Sequence, residues 1–139
     1  MIRKSWVYYL LSFTWGLVMS LIGCLTSLVL IILGYKPQKF VYGWYFAVGD
    51  NWGGVDLGPC FIVSKSSSTH TKYHEFGHSV QNCIYGPFML ILVSIPSAIR
   101  YWYRVFKYYR KGKRPPTKYE SVWFEQQATN LGTIYYAYL

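Results

Sequence analysis

The sequence predicts an α+β membrane protein with an N-terminal transmembrane helix, a small antiparallel β-hairpin or sheet, and a helical core. Three observations support this prediction. Residues 6–33 contain no charged side chain. Within residues 34–64, glycine and proline separate short stretches that are rich in aromatic and β-branched residues, which is typical of short strands and turns. Longer segments with helical periodicity follow, and 53% of all residues are apolar whereas only 14% are charged.

The uncharged run at the amino terminus is long enough to cross a bilayer, since about 20 apolar residues suffice. It is also longer than the apolar region of a signal peptide. Trp6, Tyr8 and Tyr9 lie at one end of this run and Tyr35 follows the other end, as in interfacial aromatic belts. We therefore expect residues 1–35 to form a transmembrane anchor and residues 36–139 to form one further domain.

The next segment has the composition of a β-hairpin. Phe40–Val48 and Val55–Val63 are rich in aromatic and β-branched residues. The glycine-rich stretch 49–54 between them reads as a connecting loop. This pattern predicts two antiparallel strands immediately before the first helix of the core. Such a hairpin either holds a bound peptide along its edge or only covers the core.

A helix carrying two histidines is predicted after this hairpin. Ser66–Thr69 offer N-cap residues, and Gly86 followed by Pro87 offers a stop. His74 and His78 are four residues apart, so they share a helix face and can bind one metal ion. Glu75 lies a quarter-turn away, where it can take a proton from a metal-bound water without being a ligand.

A third ligand is expected from one of only five acidic residues. Glu120 lies in a capping-box pattern, Thr117-Lys118-Tyr119-Glu120, and therefore has a structural task. Glu125 has no such task and falls on a small, apolar helix face with Ala128 and Gly132. An unpaired carboxylate on that face would be costly, and a metal partner removes the cost. The small residues also permit close approach to the histidine helix.

The two motifs, His74-Glu75-x-x-His78 and Glu125-x-x-Ala128 followed by Leu131-Gly132, resemble those of the gluzincin metallopeptidases. Among these, the sequence is most similar to the membrane-bound HtpX-type and CAAX prenyl endopeptidases, in a minimal form. The resemblance implies a helical zincin-like core holding Zn²⁺ through His74, His78 and Glu125, with Glu75 as general base. It implies hydrolysis of a peptide or membrane-protein substrate. One departure is Thr129, which stands where the family pattern has an aspartate that holds a ligand histidine.

Two further site features follow from the same resemblance. Zincin-type enzymes hold an extended peptide against an edge strand, and the candidate strand here includes the residues Val55, Asp56, Leu57 and Gly58. Gluzincins often stabilise the oxyanion with a tyrosine or histidine, and Tyr135 or Tyr136 at the carboxyl end is a candidate. His70 lies two helical turns from His78, about 12 Å in rise, so it is not expected to share their metal.

The stretch 86–103 and the basic residues that follow indicate contact with lipid. The apolar part is short for a span and is broken by Pro96, which favours an interfacial or re-entrant segment over a crossing. Lys and Arg outnumber Asp and Glu by 14 to 5, and many of them lie between residues 100 and 118 among aromatics. This pattern suits an anionic membrane surface rather than nucleic acid, and it favours a cytoplasm-facing domain.

Two alternatives remain open from the sequence. The protein can be a non-catalytic membrane protein with a structural zinc site, or one that binds lipid or a protein partner through its basic aromatic segment. The three cysteines, Cys24, Cys60 and Cys83, are an odd number and favour free thiols, with a Cys60–Cys83 disulfide as the other possibility.

Overall fold

The structure, a computed structural model, describes residues 2–138, and this part of the chain contains five α-helices and a four-stranded mixed sheet. The predicted α+β class is therefore confirmed. The helices are α1 (Ser5–Phe13), α2 (Leu17–Ile32), α3 (Thr69–Tyr85), α4 (Ile95–Lys107) and α5 (Trp123–Tyr138). The strands are β1 (Gln38–Phe40), β2 (Gly43–Ala47), β3 (Gly54–Leu57) and β4 (Cys60–Val63).

The predicted continuous helix over residues 6–33 is wrong, because the chain bends by 99° between α1 and α2. The bend buries Tyr8 completely in a core cluster with Phe76 of α3. Hydroxyl groups satisfy the backbone at the break, since Ser20 Oγ donates to the carbonyl oxygens of Ser12 and Gly16. Within the segment predicted as a membrane anchor, α1 is thus part of the core of the molecule.

Among residues 2–138, no single helix has both the length and the apolar character needed to cross a bilayer. Two bent helix pairs meet that requirement jointly, by length and composition only. One pair is α1 with α2, and the other joins residues 69–88 to residues 90–111 across a bend of 120°.

The sheet differs from the single antiparallel hairpin that the sequence predicts. The second predicted strand, Val55–Val63, is folded back on itself as β3 and β4, which pair antiparallel. The first, Phe40–Val48, contains β2, which pairs antiparallel with the preceding strand β1. The two hairpins join through a parallel pairing of β2 with β4, which gives the order β1-β2-β4-β3. Gly58 has a φ of 74° and is followed by Pro59, which turns the chain where the sequence predicts a continuous strand.

Helix α3 has the predicted limits and packs closely on α5. Ser68 caps its start by accepting a hydrogen bond from the Thr71 amide, and Gly86 with a φ of 56° ends it. A Cβ atom at Gly77 would lie 1.7 Å from the carbonyl oxygen of Ala128, and one at Gly132 would lie 1.7 Å from that of Tyr73. The backbones of the two helices are therefore in contact, as the small residues of α5 predict.

After α3 the chain reverses through Gly86–Phe88 and a π-helical turn, Leu90–Ser94, before entering α4. Met89 and Val93 of this segment are buried against Met19 of α2, whereas its opposite face is exposed. After this reversal and α4, the chain returns so that α5, which carries Glu125, packs against α3. The predicted capping box is wrong, because residues 119–121 form only a short 3₁₀ turn without a side-chain cap.

All three cysteines are free thiols, in agreement with the odd count. Cys60 is buried in β4, and Cys83 lies with its Sγ 3.4 Å from Ser12 Oγ.

Candidate metal centre

The side chains of His74, His78 and Glu125 converge in the interior between α3 and α5. Glu125 Oε2 lies 3.0 Å from His74 Nε2 and 3.2 Å from His78 Nε2. All three residues are buried, and their donor atoms lie within 4.8 Å of one another. Two ligands about 2.05 Å from a tetrahedral ion lie roughly 3.3 Å apart, so this arrangement can hold a metal ion.

Each histidine is held through its other ring nitrogen. His74 Nδ1 lies 2.7 Å from Thr129 Oγ1, and His78 Nδ1 lies 2.7 Å from Gln81 Oε1. Thr129 therefore makes the contact that an aspartate makes in the motif it resembles. Metal-binding histidines generally need such a partner to fix the ring and its tautomer. Both partners lie on the same two helices as the ligands.

The orientation of the Gln81 amide determines where His78 carries its proton. Gln81 Nε2 donates to the carbonyl oxygen of Phe124 and to Gln127 Oε1, at 2.9 and 2.8 Å. Its Oε1 is therefore the atom that faces His78, and Nδ1 must be the donor. A neutral His78 then has a lone pair on Nε2 that faces the Glu125 carboxylate. This contact is favourable only if a metal ion lies between the two atoms or if Nε2 also carries a proton.

The electrostatics of the cluster agree with this requirement for a positive charge. Burial alone would lower the pKa of His78, but its hydrogen bond with Glu125 and the charge of Glu75 raise that pKa to about 9. Burial alone would raise the pKa of Glu125, but hydrogen bonds with His74 and His78 hold it well below the usual range. Glu125 is thus ionised at neutral pH, as a metal ligand must be.

Glu75 lies beside the cluster without belonging to it. It is 6% exposed, and a Cβ atom on Gly54 of β3 would lie 2.9 Å from its Oε1. Burial raises the pKa of the Glu75 carboxyl, and the nearby His74 and His78 offset part of that rise. A carboxylate with a raised pKa next to a metal position is suited to general base catalysis near neutral pH.

Two cavities meet at Glu75, and both are bordered by Trp52, Gly54, Tyr101 and Tyr119 as well. The polar cavity, about 800 Å³, includes His74, His70 and Glu120. The apolar cavity, about 600 Å³, includes His78 and side chains of α2 and of the segment between α3 and α4, namely Met19, Ile22, Met89, Leu90 and Val93. Together they form a cleft that passes the candidate metal position.

Strand β3 lies along this cleft and is an outer strand of the sheet. Ser64 N donates to Gly53 O, so Gly53 is in a hydrogen-bonded pair with the residue after β4. Such pairs alternate along an antiparallel ladder, and the backbone N–H and C=O groups of Gly54 and Asp56 therefore point away from β4, toward the unpaired edge. Of the predicted peptide-binding residues, Val55, Asp56 and Leu57 belong to β3, whereas Gly58 lies in the turn. The Asp56 carboxylate is itself occupied by Ser79 Oγ and Gly58 N.

Neither of the tyrosines proposed as oxyanion stabilisers reaches the centre. Tyr135 is buried in the aromatic core against Phe76, and its hydroxyl accepts a hydrogen bond from Ile2 N. Tyr136 is exposed and stacks on Phe40. The reason is their position about three helical turns beyond Glu125 on α5, which carries them along the helix axis and away from the metal ligands.

Tyr119, in contrast to Tyr135 and Tyr136, lies next to the candidate metal ligands. Its ring lies 6.3 Å from the His74 ring, centroid to centroid, and it borders both cavities. Burial and the Glu125 carboxylate raise the pKa of its hydroxyl, which therefore remains a donor at neutral pH. Sequence reasoning missed it because 15 tyrosines offer no basis for choosing one. Gln81 belongs to no recognised motif, so the sequence does not single it out either.

His70 and Glu120 form a pair at the rim of the polar cavity, with His70 Nε2 2.6 Å from Glu120 Oε1. Neither residue joins the three candidate ligands.

No family model matches the chain, and comparisons with curated proteins and with solved structures likewise find no match.

Proposed function

We propose that the protein is a membrane-associated, zinc-dependent peptidase of the gluzincin type. One observation carries the proposal: two oriented imidazoles and a buried carboxylate converge next to Glu75, in a cleft that runs beside an unpaired strand edge. Nitrogen ligands from histidine with one carboxylate suit zinc. Zinc bound there would supply a Lewis acid that lowers the pKa of a bound water toward about 7.

The residues of the chain then have distinct roles in peptide hydrolysis. Glu75 accepts a proton from the attacking water and passes it to the leaving amine. The backbone of Gly54 and Asp56 pairs with an extended substrate, which aligns the substrate irrespective of its sequence. The Tyr119 hydroxyl stabilises the negative charge that develops on the carbonyl oxygen. Thr129 and Gln81 keep the two histidine rings in the orientation required for binding.

Glu125→Ala tests the metal centre directly. The variant is expected to purify with less than about a tenth of the zinc bound by the unmodified protein, because a ligand is lost and two histidines lose their common partner. Peptide hydrolysis should be lost with the metal. Zinc content per chain is measured by elemental analysis, and hydrolysis is followed on a mixture of fluorogenic peptides.

Gln126→Ala is the control for this change, since Gln126 is an exposed neighbour on the same helix. Equal zinc content in the Glu125→Ala variant and the control would contradict the assignment of the centre. Zinc that depends on Glu125, in a protein that cleaves no peptide in the mixture, would support the alternative of a non-catalytic protein with a structural zinc site.

The proposed association with a membrane is supported by a broad exposed apolar surface. Two segments supply it, α2 and residues 88–106, with the exposed side chains Leu21, Leu25, Leu28, Val29, Ile32, Leu33, Phe88, Ile91, Leu92, Ile95, Ile99, Trp102 and Phe106. Monomeric proteins rarely expose so large a patch to water. The apolar cavity lies between the same two segments, so a substrate can enter it from the lipid side.

Vesicle flotation tests this association. The protein is expected to float with anionic phospholipid vesicles and to remain bound in high salt, because burial of apolar side chains adds to the attraction of its +9 charge for the lipid. Replacing Leu25 and Leu28 together by glutamine should reduce binding at high salt. Complete release of the unmodified protein by salt would show that the apolar surface does not enter the bilayer.

A further inference from the structure

Arg104 is a buried cation without an acidic partner. The residue is only 5% exposed, and its Nε has no hydrogen-bond partner among the described residues. The rest of the guanidinium donates to Thr117, to the carbonyl oxygen at 3.0 Å and to Oγ1 at 3.5 Å. No carboxylate within residues 2–138 lies in ion-pair range of it. A buried charge in this state is costly unless something else neutralises it.

The position of Arg104 indicates that a bound ligand can neutralise its charge. It borders the polar cavity that also contains His74 and Glu75. Its guanidinium lies 5.4 Å from the centroid of the Tyr119 ring, and that ring contacts His74. The guanidinium is therefore separated from the His74 ring by no more than these two ring contacts. An extended peptide covers that separation with about three residues, at roughly 3.3 Å per residue. The other charged groups bordering the cavity are His70 and Glu120, which pair with each other, and Arg110, which is exposed.

We propose that Arg104 binds a carboxylate of the substrate, within about three residues of the cleaved bond. The inference rests on the proposed peptidase function and specifies its substrate class. The preferred peptide has an apolar side chain in the cavity bordered by Met19, Met89 and Val93, and an anionic group on the Arg104 side of Glu75. Arginine suits this task because its planar fork recognises carboxylates in two-point contacts.

The carboxylate can come from a free carboxyl terminus or from an Asp or Glu side chain. Binding is therefore measured with short peptides that have a Leu-Phe centre, in four forms. Two differ in the terminus, which is either a free carboxyl group or an amide. The other two are amidated and have an internal Asp or, in its place, Asn. The Glu75→Gln protein loaded with zinc is used, so that peptides bind without being cleaved.

We expect at least one carboxylate form to bind about 10- to 100-fold more tightly than its neutral counterpart, in line with a charge-assisted hydrogen bond in a buried site. Adding Arg104→Gln should reduce this preference to less than about twofold. The form that shows the preference distinguishes a terminal carboxylate from a side-chain carboxylate. An equal affinity for charged and neutral peptides, or no binding at all, overturns the inference.

Arg100→Gln is the matched control. Arg100 also lies over the Tyr119 ring, at 5.7 Å, and also donates to carbonyl oxygens of the segment before α5, but it does not border the polar cavity. The Arg100→Gln variant should hold the segment before α5 less firmly, but it should keep the preference for a carboxylate. If both variants lose the preference equally, the effect is structural and the inference fails. Hydrolysis is measured separately on the protein with Glu75 intact. Hydrolysis without a carboxylate preference would refute this inference alone. Carboxylate-dependent binding without hydrolysis would refute the proposed function and leave Arg104 as a carboxylate-binding residue of a non-catalytic site.

Discussion

Replacing Glu75 by glutamine is expected to reduce peptide hydrolysis by roughly 10² to 10⁴-fold while zinc remains bound. Glutamine has nearly the same shape, so the contact with Gly54 of β3 is retained. It cannot accept a proton from water, and this is the one property that the proposed role of Glu75 requires. The measurement is the rate of hydrolysis per zinc-loaded chain, with metal content determined on the same sample.

The control for the loss of a carboxylate is Asp50→Asn, an exposed residue in the loop between β2 and β3. Its activity should equal that of the unmodified protein. Hydrolysis that persists unchanged in the Glu75→Gln protein would refute the mechanism, even if the metal centre itself were correct.

Gly77→Ala is expected to destabilise the protein by about 3 kcal/mol, the upper part of the usual range for overpacking. The new methyl group would lie 1.7 Å from the carbonyl oxygen of Ala128, so it cannot be accommodated by a side-chain rotation. Helices α3 and α5 would have to separate, and Glu125 would move away from His74 and His78. The free energy of unfolding, measured with denaturant, and the zinc content should therefore fall together.

The sign of this effect makes it informative. In an isolated helix the same change stabilises by about 1 kcal/mol, because alanine has the higher helix propensity. Asn130→Ala, on the exposed face of α5, is the control and should alter stability by less than about 0.5 kcal/mol. A more stable Gly77→Ala protein would mean that the two helices are not in contact at this point.

The sequence allowed the candidate centre to be predicted because its geometry is largely local. His74 and His78 are fixed relative to each other by one helical turn, and α3 has strong start and stop signals. Glu125 was identified by elimination, since a chain with five acidic residues leaves few candidates. The close approach of α5 followed from Gly132 and its neighbours.

The remaining features depend on contacts between distant segments. An uncharged run of residues has the same composition whether it forms one helix or two, and the bend at residues 14–16 is set by hydrogen bonds from Ser20 and by burial of Tyr8. The parallel pairing of β2 with β4 joins segments whose local pattern indicates only strand. Tyr119 precedes Glu125 by six residues, yet only the return of the chain after α4 brings it against His74.

The π-helical turn at Leu90–Ser94 has a consequence for the rotational phase of α4. A helical turn with one additional residue rotates everything downstream by about 100° relative to a regular helix. Ser97, which donates to Glu125, and Tyr101, which borders the cleft, face the centre only in this phase. The number of residues between Gly86 and Ser97 therefore matters more than their identity, and apolar exchanges there are tolerated far better than a single deletion.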